Sequence, residues 1–176
     1  MKPLELPKQL KGPWHHALIM TYGVDIPFFE NAVWSQFGAS CRHKIILADG
    51  QQFLAACNNY ARSGLARYLN QRYVAGGIFT QHAAHAKLIL LTNPEQGRLL
   101  IGSGNLNLQG YASGGEIFTG YEYSQETPQT LGAFLTIREL LEGLMGQKLL
   151  DPTAHRHINQ LLEKTPWLYR SPEDTW

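Results

Sequence analysis

The sequence feature that most constrains the fold is an alternation between short apolar runs and longer segments of helical periodicity. Residues 16–21, 43–48 and 86–91 are apolar runs of strand length, and each is followed by residues typical of turns. Strands that are apolar on both faces belong to sheets covered by helices on both sides. The alternation therefore predicts an α/β fold.

Helical segments separate these runs. Pro27 can start a helix that Gly38 closes, and a second helix is expected to follow Gly50 as far as Leu69. Residues 130–147 carry apolar side chains at helical spacing and predict a long amphipathic helix. Asp151 followed by a proline is typical of an N-cap, so a last helix is predicted from this point.

Two neighbouring strands are predicted to form a hairpin. Residues 86–91 and 99–102 are apolar, and residues 92–98 between them are rich in turn-forming types. Residues 116–123 alternate enough to predict one more strand. A hairpin within an otherwise parallel pattern implies a mixed β-sheet flanked by helices on both faces.

The chain of 176 residues is expected to form a single domain. It shows no internal repeat and no Pro/Ser-rich linker, so we expect a core over about residues 14–147 and a C-terminal helix over about residues 151–165. The short segment that ends at Trp176 leaves open that the chain is the N-terminal part of a longer protein.

Composition limits the classes of partner. The chain has 15 Lys and Arg against 14 Asp and Glu, so any recognition of phosphate must be local rather than the result of a global basic field. Its two cysteines match no metal or redox spacing, which favours a reducing compartment. Residues 1–10 do not resemble a signal peptide, and no stretch is long enough to span a membrane. These features predict a soluble cytoplasmic protein without a membrane partner.

The hairpin carries a group of polar side chains that can act together. Residues two apart on a strand share a face, so His85 and Lys87 are predicted to point the same way, as are Ser103 and Asn105. We expect the register that places His85 opposite Asn105 and Lys87 opposite Ser103, with residues 93–97 as the loop.

These side chains suit the chemistry of a phosphate ester. The ammonium, hydroxyl and carboxamide can stabilise charge on the phosphate oxygens, and the His85 imidazole can attack phosphorus or carry a proton. Glu116 is expected on the following strand, where its carboxylate could bond the far ring nitrogen of His85 and fix the tautomer. This chemistry requires no metal and no cofactor.

His-Ala-Lys at 85–87, Gly-Ser-Gly-Asn at 102–105 and Glu116 resemble the HxK…GSxN signature of the phospholipase D superfamily, in the form seen in its nuclease branch. The resemblance follows the element order over residues 15–125, but its specific part is residues 85–116. It implies that one histidine attacks phosphorus to form a phosphohistidine and that a second histidine protonates the leaving oxygen. It also implies a phospholipase D-like fold, and a complete site in which two copies of the motif face each other across a two-fold or pseudo-two-fold axis.

The resemblance also implies a role for each residue. His85 would be the nucleophile or the general acid, Lys87 and Asn105 would hold the phosphate, Ser103 would support the site, and Glu116 would orient His85. Thr92 stands where the superfamily often has an aspartate, although nuclease relatives often lack it. Because the sequence holds one copy of the motif, a complete site implies a C2 homodimer with His85 and its symmetry mate in a shared pocket.

The expected function is that of a metal-independent phosphodiesterase, an endonuclease acting on nucleic acid, with DNA as the favoured substrate. A phospholipid or other small phosphodiester hydrolase is one alternative. A non-catalytic module for dimerisation or nucleic-acid docking within a larger assembly is another. The sequence leaves the strandedness of the substrate open.

Other basic and aromatic residues are weaker candidates. His82 is expected in a loop, and His15 and His16 are expected where the first strand begins, with a phosphate contact left open. Tyr22, Gly23 and Asp25 carry the same ambiguity. Arg62, Arg67 and Arg72 could line a groove that binds a nucleic-acid backbone. A short basic cluster is formed by Arg42, His43 and Lys44. Scattered surface charge is the default interpretation of both sets.

Overall fold

The computed structural model describes residues 6–112 and 116–171, so Trp176 lies outside the described residues. Within them the chain forms one six-stranded sheet with the strand order β3-β2-β1-β4-β5-β6 once the strands are numbered along the chain. The strands are β1 (His16–Thr21), β2 (His43–Asp49), β3 (Val74–Ile78), β4 (Leu88–Thr92), β5 (Gly97–Gly102) and β6 (Phe118–Tyr123).

Helices connect and cover the strands. They are α1 (Leu6–Gln9), α2 (Ile26–Phe28), α3 (Gly50–Ser63), α4 (Leu108–Ala112), α5 (Leu131–Gly146) and α6 (Pro152–Glu163). Helix α2 continues through a π-helical segment and a 3-10 turn as far as Gln36, so the helix predicted from Pro27 is present but irregular. Among the residues described, no helix is long and apolar enough to cross a membrane.

The sheet is mixed, as predicted. Strand β1 pairs in parallel with β2, and β2 pairs in parallel with β3. Strand β4 runs antiparallel to both β1 and β5, and β5 runs antiparallel to β6. The pairing of β1 with β4 places the end of one strand beside the start of the other, with Met20 opposite Leu88.

A separate hydrophobic core lies on each face of the sheet. On one face Leu18 packs in a cluster with Phe134 of α5 and Ile158 of α6. On the other face Ile19 packs in a cluster with Phe29, in the π-helical segment that follows α2. Consecutive residues of β1 thus enter different cores, which is why residues 17–20 are all apolar. The arrangement confirms a mixed α/β sheet flanked by helices on both faces.

One prediction about secondary structure was wrong, and one strand was missed. Helix α3 ends at Ser63 rather than continuing to Leu69, because Gly64 adopts the left-handed conformation with φ of 64° and terminates it. Strand β3 was not predicted, since its two central glycines lower the strand propensity. At Gly76 the helix α6 approaches so closely that a β-carbon would collide with the Asp151 carboxylate.

The hairpin register differs by one residue from the predicted one. Thr92 pairs with Gly97 rather than with Arg98, and the backbone N–H of Gly102 donates to the carbonyl of Lys87 at 3.0 Å. His85 is therefore not directly opposite Asn105, and Lys87 is not opposite Ser103. Both His85 and Lys87 precede β4, which begins at Leu88.

The turn, rather than the hydrophobic pattern, sets this register. The Asn93 side-chain oxygen accepts hydrogen bonds from the backbone N–H groups of Glu95 and Gln96, each at 2.9 Å. The Asn93 N–H donates to the Gln96 carbonyl at 3.0 Å, so the loop is one residue shorter than expected. Because the hairpin strands are mostly buried on both faces, the sequence pattern could not distinguish the two registers.

Candidate active site

The predicted site residues lie at one edge of the sheet. Strand β1 ends at this edge, β4 begins there beside it, β5 ends there, and β6 begins there. The segments that follow or precede these strand ends are therefore neighbours, although they are distant in sequence. They carry Tyr22, His85, Lys87, Ser103, Asn105 and Glu116.

His85 and Lys87 are in direct contact. The Lys87 Nζ lies 3.0 Å from the His85 Nδ1 and also donates to the His85 carbonyl at 3.3 Å. Since an ammonium group can only donate, the His85 Nδ1 acts as the acceptor and the proton of the neutral ring resides on Nε2. The Nε2 side of the ring is then the side that can meet a substrate.

The ring of Tyr22 packs against His85 and Lys87. Its ring stacks on the His85 ring, with centroids 4.3 Å apart and planes inclined by 30°. The Lys87 Nζ lies 6.0 Å from the centroid of the same tyrosine ring. The sequence left the role of Tyr22 open, and the available signal was its position directly after the first buried strand.

Asn105 is fixed by the loop that carries Tyr22. Its Oδ1 accepts a hydrogen bond from the Gly23 N–H at 3.2 Å. The next residue, Leu106, donates its N–H to the Thr21 Oγ1 at 3.0 Å and accepts from the Asp25 N–H at 2.8 Å. The amide nitrogen on the same side chain can donate a hydrogen bond to another group. The loop after β1 thus joins the two halves of the motif.

Ser103 and Glu116 form a second pair. The Ser103 hydroxyl donates to a carboxylate oxygen of Glu116 and accepts from the Ile117 N–H at 3.2 Å. Glu116 lies before β6, which begins at Phe118, rather than on the strand as expected. The partner of Glu116 is therefore Ser103, in place of the expected contact with the His85 ring.

Asp49 supports the segment that contains His85. One carboxylate oxygen caps α3 by accepting from the N–H groups of Gln51 and Gln52, both at 3.1 Å. The other accepts from the N–H of Ala84, the residue before His85, at 3.0 Å. This role of Asp49 was not predicted from the sequence. The signal was an aspartate between a buried strand and a helix, which is typical of an N-cap.

The edge is open to solvent. His85, Ser103 and Glu116 are exposed, whereas Lys87 and Asn105 are half-buried. A cavity of about 260 Å³ lies beside Tyr22, and His82 lines it from the expected loop position. Residues 6–112 and 116–171 contain no group of three or more His, Cys, Asp or Glu placed to hold a metal ion.

A six-stranded mixed sheet with helices on both faces and this polar group at one edge defines a phospholipase D-like α/β fold. No family model matches the chain, and no curated protein matches it in sequence. Among solved structures it is similar to a mutant of yeast tyrosyl-DNA phosphodiesterase, a phospholipase D superfamily member, with a TM-score of 0.56 and 11% sequence identity. That alignment covers 90% of this chain and 36% of the yeast chain.

Two further structures of the yeast enzyme also match. One aligns with a TM-score of 0.46 at 12% identity and covers 84% of this chain and 39% of the yeast chain. The other, a mutant, aligns with a TM-score of 0.47 at 10% identity and covers 84% of this chain and 38% of the yeast chain. The chain therefore spans less than half the length of these solved structures.

Proposed function

We propose that this protein is a metal-independent phosphodiesterase that cleaves DNA with His85 as the nucleophile. The observation that carries the proposal is the gathering of His85, Lys87, Ser103, Asn105 and Glu116 at one edge of a phospholipase D-like sheet. The set combines a nucleophile with a cation and neutral donors, which is what the attack on a phosphodiester requires.

The proposed reaction has two steps. Attack requires the other ring tautomer: the Lys87 ammonium releases Nδ1 and turns to the phosphate, and the His85 proton moves from Nε2 to Nδ1 by exchange with solvent. The unprotonated His85 Nε2 then attacks phosphorus, the Nε2–P bond forms, and the bond from phosphorus to the leaving oxygen breaks. The leaving oxygen takes a proton from a second histidine. Water, deprotonated by that same histidine, then displaces the His85 nitrogen and releases the phosphomonoester. Lys87 and the Asn105 amide stabilise the negative charge that accumulates on the phosphate oxygens in both steps.

DNA is the favoured substrate for two reasons. The resemblance of the motif is to the nuclease branch of the superfamily, and the similar yeast structure is by its name a tyrosyl-DNA phosphodiesterase. The open edge also suits a polymer, because the exposed side chains His85 and Ser103 can reach a strand that lies across the surface.

The second histidine is proposed to come from a partner copy of this chain. The single copy of the motif in this sequence supports the proposal, and large apolar side chains flank the site on the exposed surface. Phe79 is 46%, Leu108 61% and Ile117 74% exposed, and all three lie close in sequence to residues of the same edge. Burial of these side chains in a C2 interface would bring two His85 rings into one pocket.

The first test is cleavage of plasmid and single-stranded DNA in excess EDTA by wild type, His85→Ala and His82→Ala. His82 is the matched control, because it is an exposed histidine in the same loop. We expect His85→Ala to abolish nicking and His82→Ala to retain it. Equal activity of wild type and His85→Ala would overturn the proposal. Absence of cleavage by folded wild type would favour a phospholipid or small-diester hydrolase, or a docking module.

The shared site has its own test. Wild type and His85→Ala are co-expressed at varied ratios, and the mass in solution is measured in parallel. If both histidines of a dimer serve one site, activity should fall with the square of the wild-type fraction. A linear fall, or full activity of a strict monomer, would contradict the shared site. Ile117→Lys should weaken the dimer and reduce cleavage together.

A further inference from the structure

The edge of the sheet opposite the candidate active site carries a second concentration of polar residues. A cavity of about 400 Å³ lies where β1 and β2 begin and α6 ends. It is lined by His15, His16, Arg42, His43 and Lys164, among others. The strands are six and seven residues long, so this edge lies roughly 20 Å from the one that carries His85.

A second cavity of about 240 Å³ lies beside the first. It shares Arg42 and His43 with it and adds Arg72 and His157. We refer to the two cavities together as the basic groove. Their described lining includes no aspartate or glutamate, so the groove presents charge of one sign.

The pKa values of two histidines in the groove are lowered. Burial, and then the neighbouring His43, His15 and Lys164, lower the pKa of His16 to about 4. Burial together with Arg156 and His43 also lowers the pKa of His157. An anion in the groove would offset this unbalanced positive charge.

His16 also offers a polar atom to a ligand. Its side chain is 4% exposed and its ring is stacked on His43 with centroids 4.9 Å apart. The Nδ1 atom is buried and has no hydrogen-bond partner within the described part of the chain. A buried ring nitrogen without a partner is costly unless a ligand or solvent satisfies it.

An aromatic side chain lies next to the groove. Tyr68 is 39% exposed, and the Arg72 guanidinium lies 5.1 Å from the centroid of its ring. Cations beside an exposed aromatic ring are typical of surfaces that bind single-stranded nucleic acid, because phosphates meet the cations and a base stacks on the ring. Lys44 is not available for this role, since it is buried and donates to the Cys41 carbonyl.

From these observations we infer that the basic groove binds single-stranded nucleic acid through its phosphates, with Arg42, Arg72 and Lys164 as the cations and Tyr68 as the stacking ring. The inference goes beyond the proposed cleavage, because the groove lies at the other edge of the sheet. It would hold a strand away from the site where the strand is cut.

Binding is measured by fluorescence anisotropy of a labelled single-stranded oligonucleotide, with all variants made in the His85→Ala background so that the probe stays intact. We expect Arg42→Ala with Lys164→Ala to raise Kd about tenfold or more and to reduce the slope of log K against log salt by about 1.4, from roughly 0.7 for each lost phosphate contact. Lys148→Gln removes an exposed cation near the edge that carries His85, away from the basic groove. It should leave Kd and the salt slope unchanged.

Variants of Tyr68 and competition by inorganic phosphate test whether the ligand is a nucleic acid. Tyr68→Ala should weaken binding about tenfold, whereas Tyr68→Phe should keep it, because the phenylalanine ring still stacks. Circular dichroism and melting temperature confirm that each variant is folded. An unchanged Kd and salt slope in the double variant would overturn the inference. So would displacement of the probe by inorganic phosphate at matched phosphate concentration together with no effect of Tyr68→Ala. Because the readout is binding, failure of cleavage would not affect the result.

Discussion

Tyr22 stacks on His85 with ring centroids 4.3 Å apart, and the same tyrosine ring lies 6.0 Å from the Lys87 ammonium. The loop after the first strand thus restrains a histidine that follows the third. The neighbour of Tyr22, Gly23, holds Asn105 through its N–H. A single loop therefore sets the distance between the two halves of the motif.

Tyr22 is predicted to be a positioning residue for His85. Tyr22→Leu removes the stacking and should lower kcat about two- to tenfold with a smaller change in KM, since stacked aromatic pairs are worth roughly 0.5–1.5 kcal/mol. Tyr22→Phe retains the ring and should restore activity. Cleavage kinetics of the three proteins test this, and equal loss in both variants would assign the role to the hydroxyl instead.

Ser103 and Glu116 are predicted to act as one unit, because the serine hydroxyl donates to the glutamate carboxylate. Ser103→Ala and Glu116→Gln should each reduce cleavage, and the double variant should be little worse than either. The expected coupling is about 0.5–3 kcal/mol for residues in contact. Additive losses in this double-mutant cycle would show that Glu116 acts independently of Ser103.

Asp49 is predicted to support both stability and activity. Asp49→Ala removes the cap of α3 and the acceptor for Ala84, and should cost about 1–2 kcal/mol of unfolding free energy. Asp49→Asn keeps one oxygen for the cap but replaces the other with an amide, so stability should largely recover. Denaturant unfolding and cleavage are measured on both variants, and we expect activity to recover less than stability.

Stability is predicted to depend on pH through His16. Its pKa is about 4 in the folded chain and about 6.5 when unfolded, so the unfolded state binds the proton first as pH falls. The free energy of unfolding is therefore highest above pH 6.5. It decreases by about 2–3 kcal/mol as the pH falls from 6.5 to 4. His16→Gln lacks this titration, so its unfolding free energy should fall less over the same range. Parallel denaturant titrations at several pH values check the difference.

Asn93 is predicted to be the residue that fixes the hairpin register. Asn93→Ala removes the acceptor for Glu95 and Gln96 and should lower the unfolding free energy by about 1–2 kcal/mol. Asn93→Asp keeps that acceptor but loses the donor to the Pro13 carbonyl, so it should lose less. Thermal melts rank the two variants, and the opposite order would contradict the role of the turn.

The sequence by itself determined the layers of this fold. Runs of consecutive apolar residues require burial on both faces, and the helices between them supply the cover. The helix that begins after Asp151 was predictable from its cap, which accepts hydrogen bonds from Thr153 and Ala154 as expected. These features are local: the physical cause of a helix cap or of an apolar run lies within a few residues of sequence.

Only the tertiary structure decided the strand register and which residues distant in sequence are in contact. The register of the hairpin depended on a turn around Asn93, because strands buried on both faces do not favour one register. The contact of Glu116 with Ser103, the stacking of Tyr22 on His85 and the convergence of His16, Arg42 and Lys164 join residues far apart in sequence. Such contacts follow from the order and direction of strands in the sheet, which no single segment of the sequence encodes.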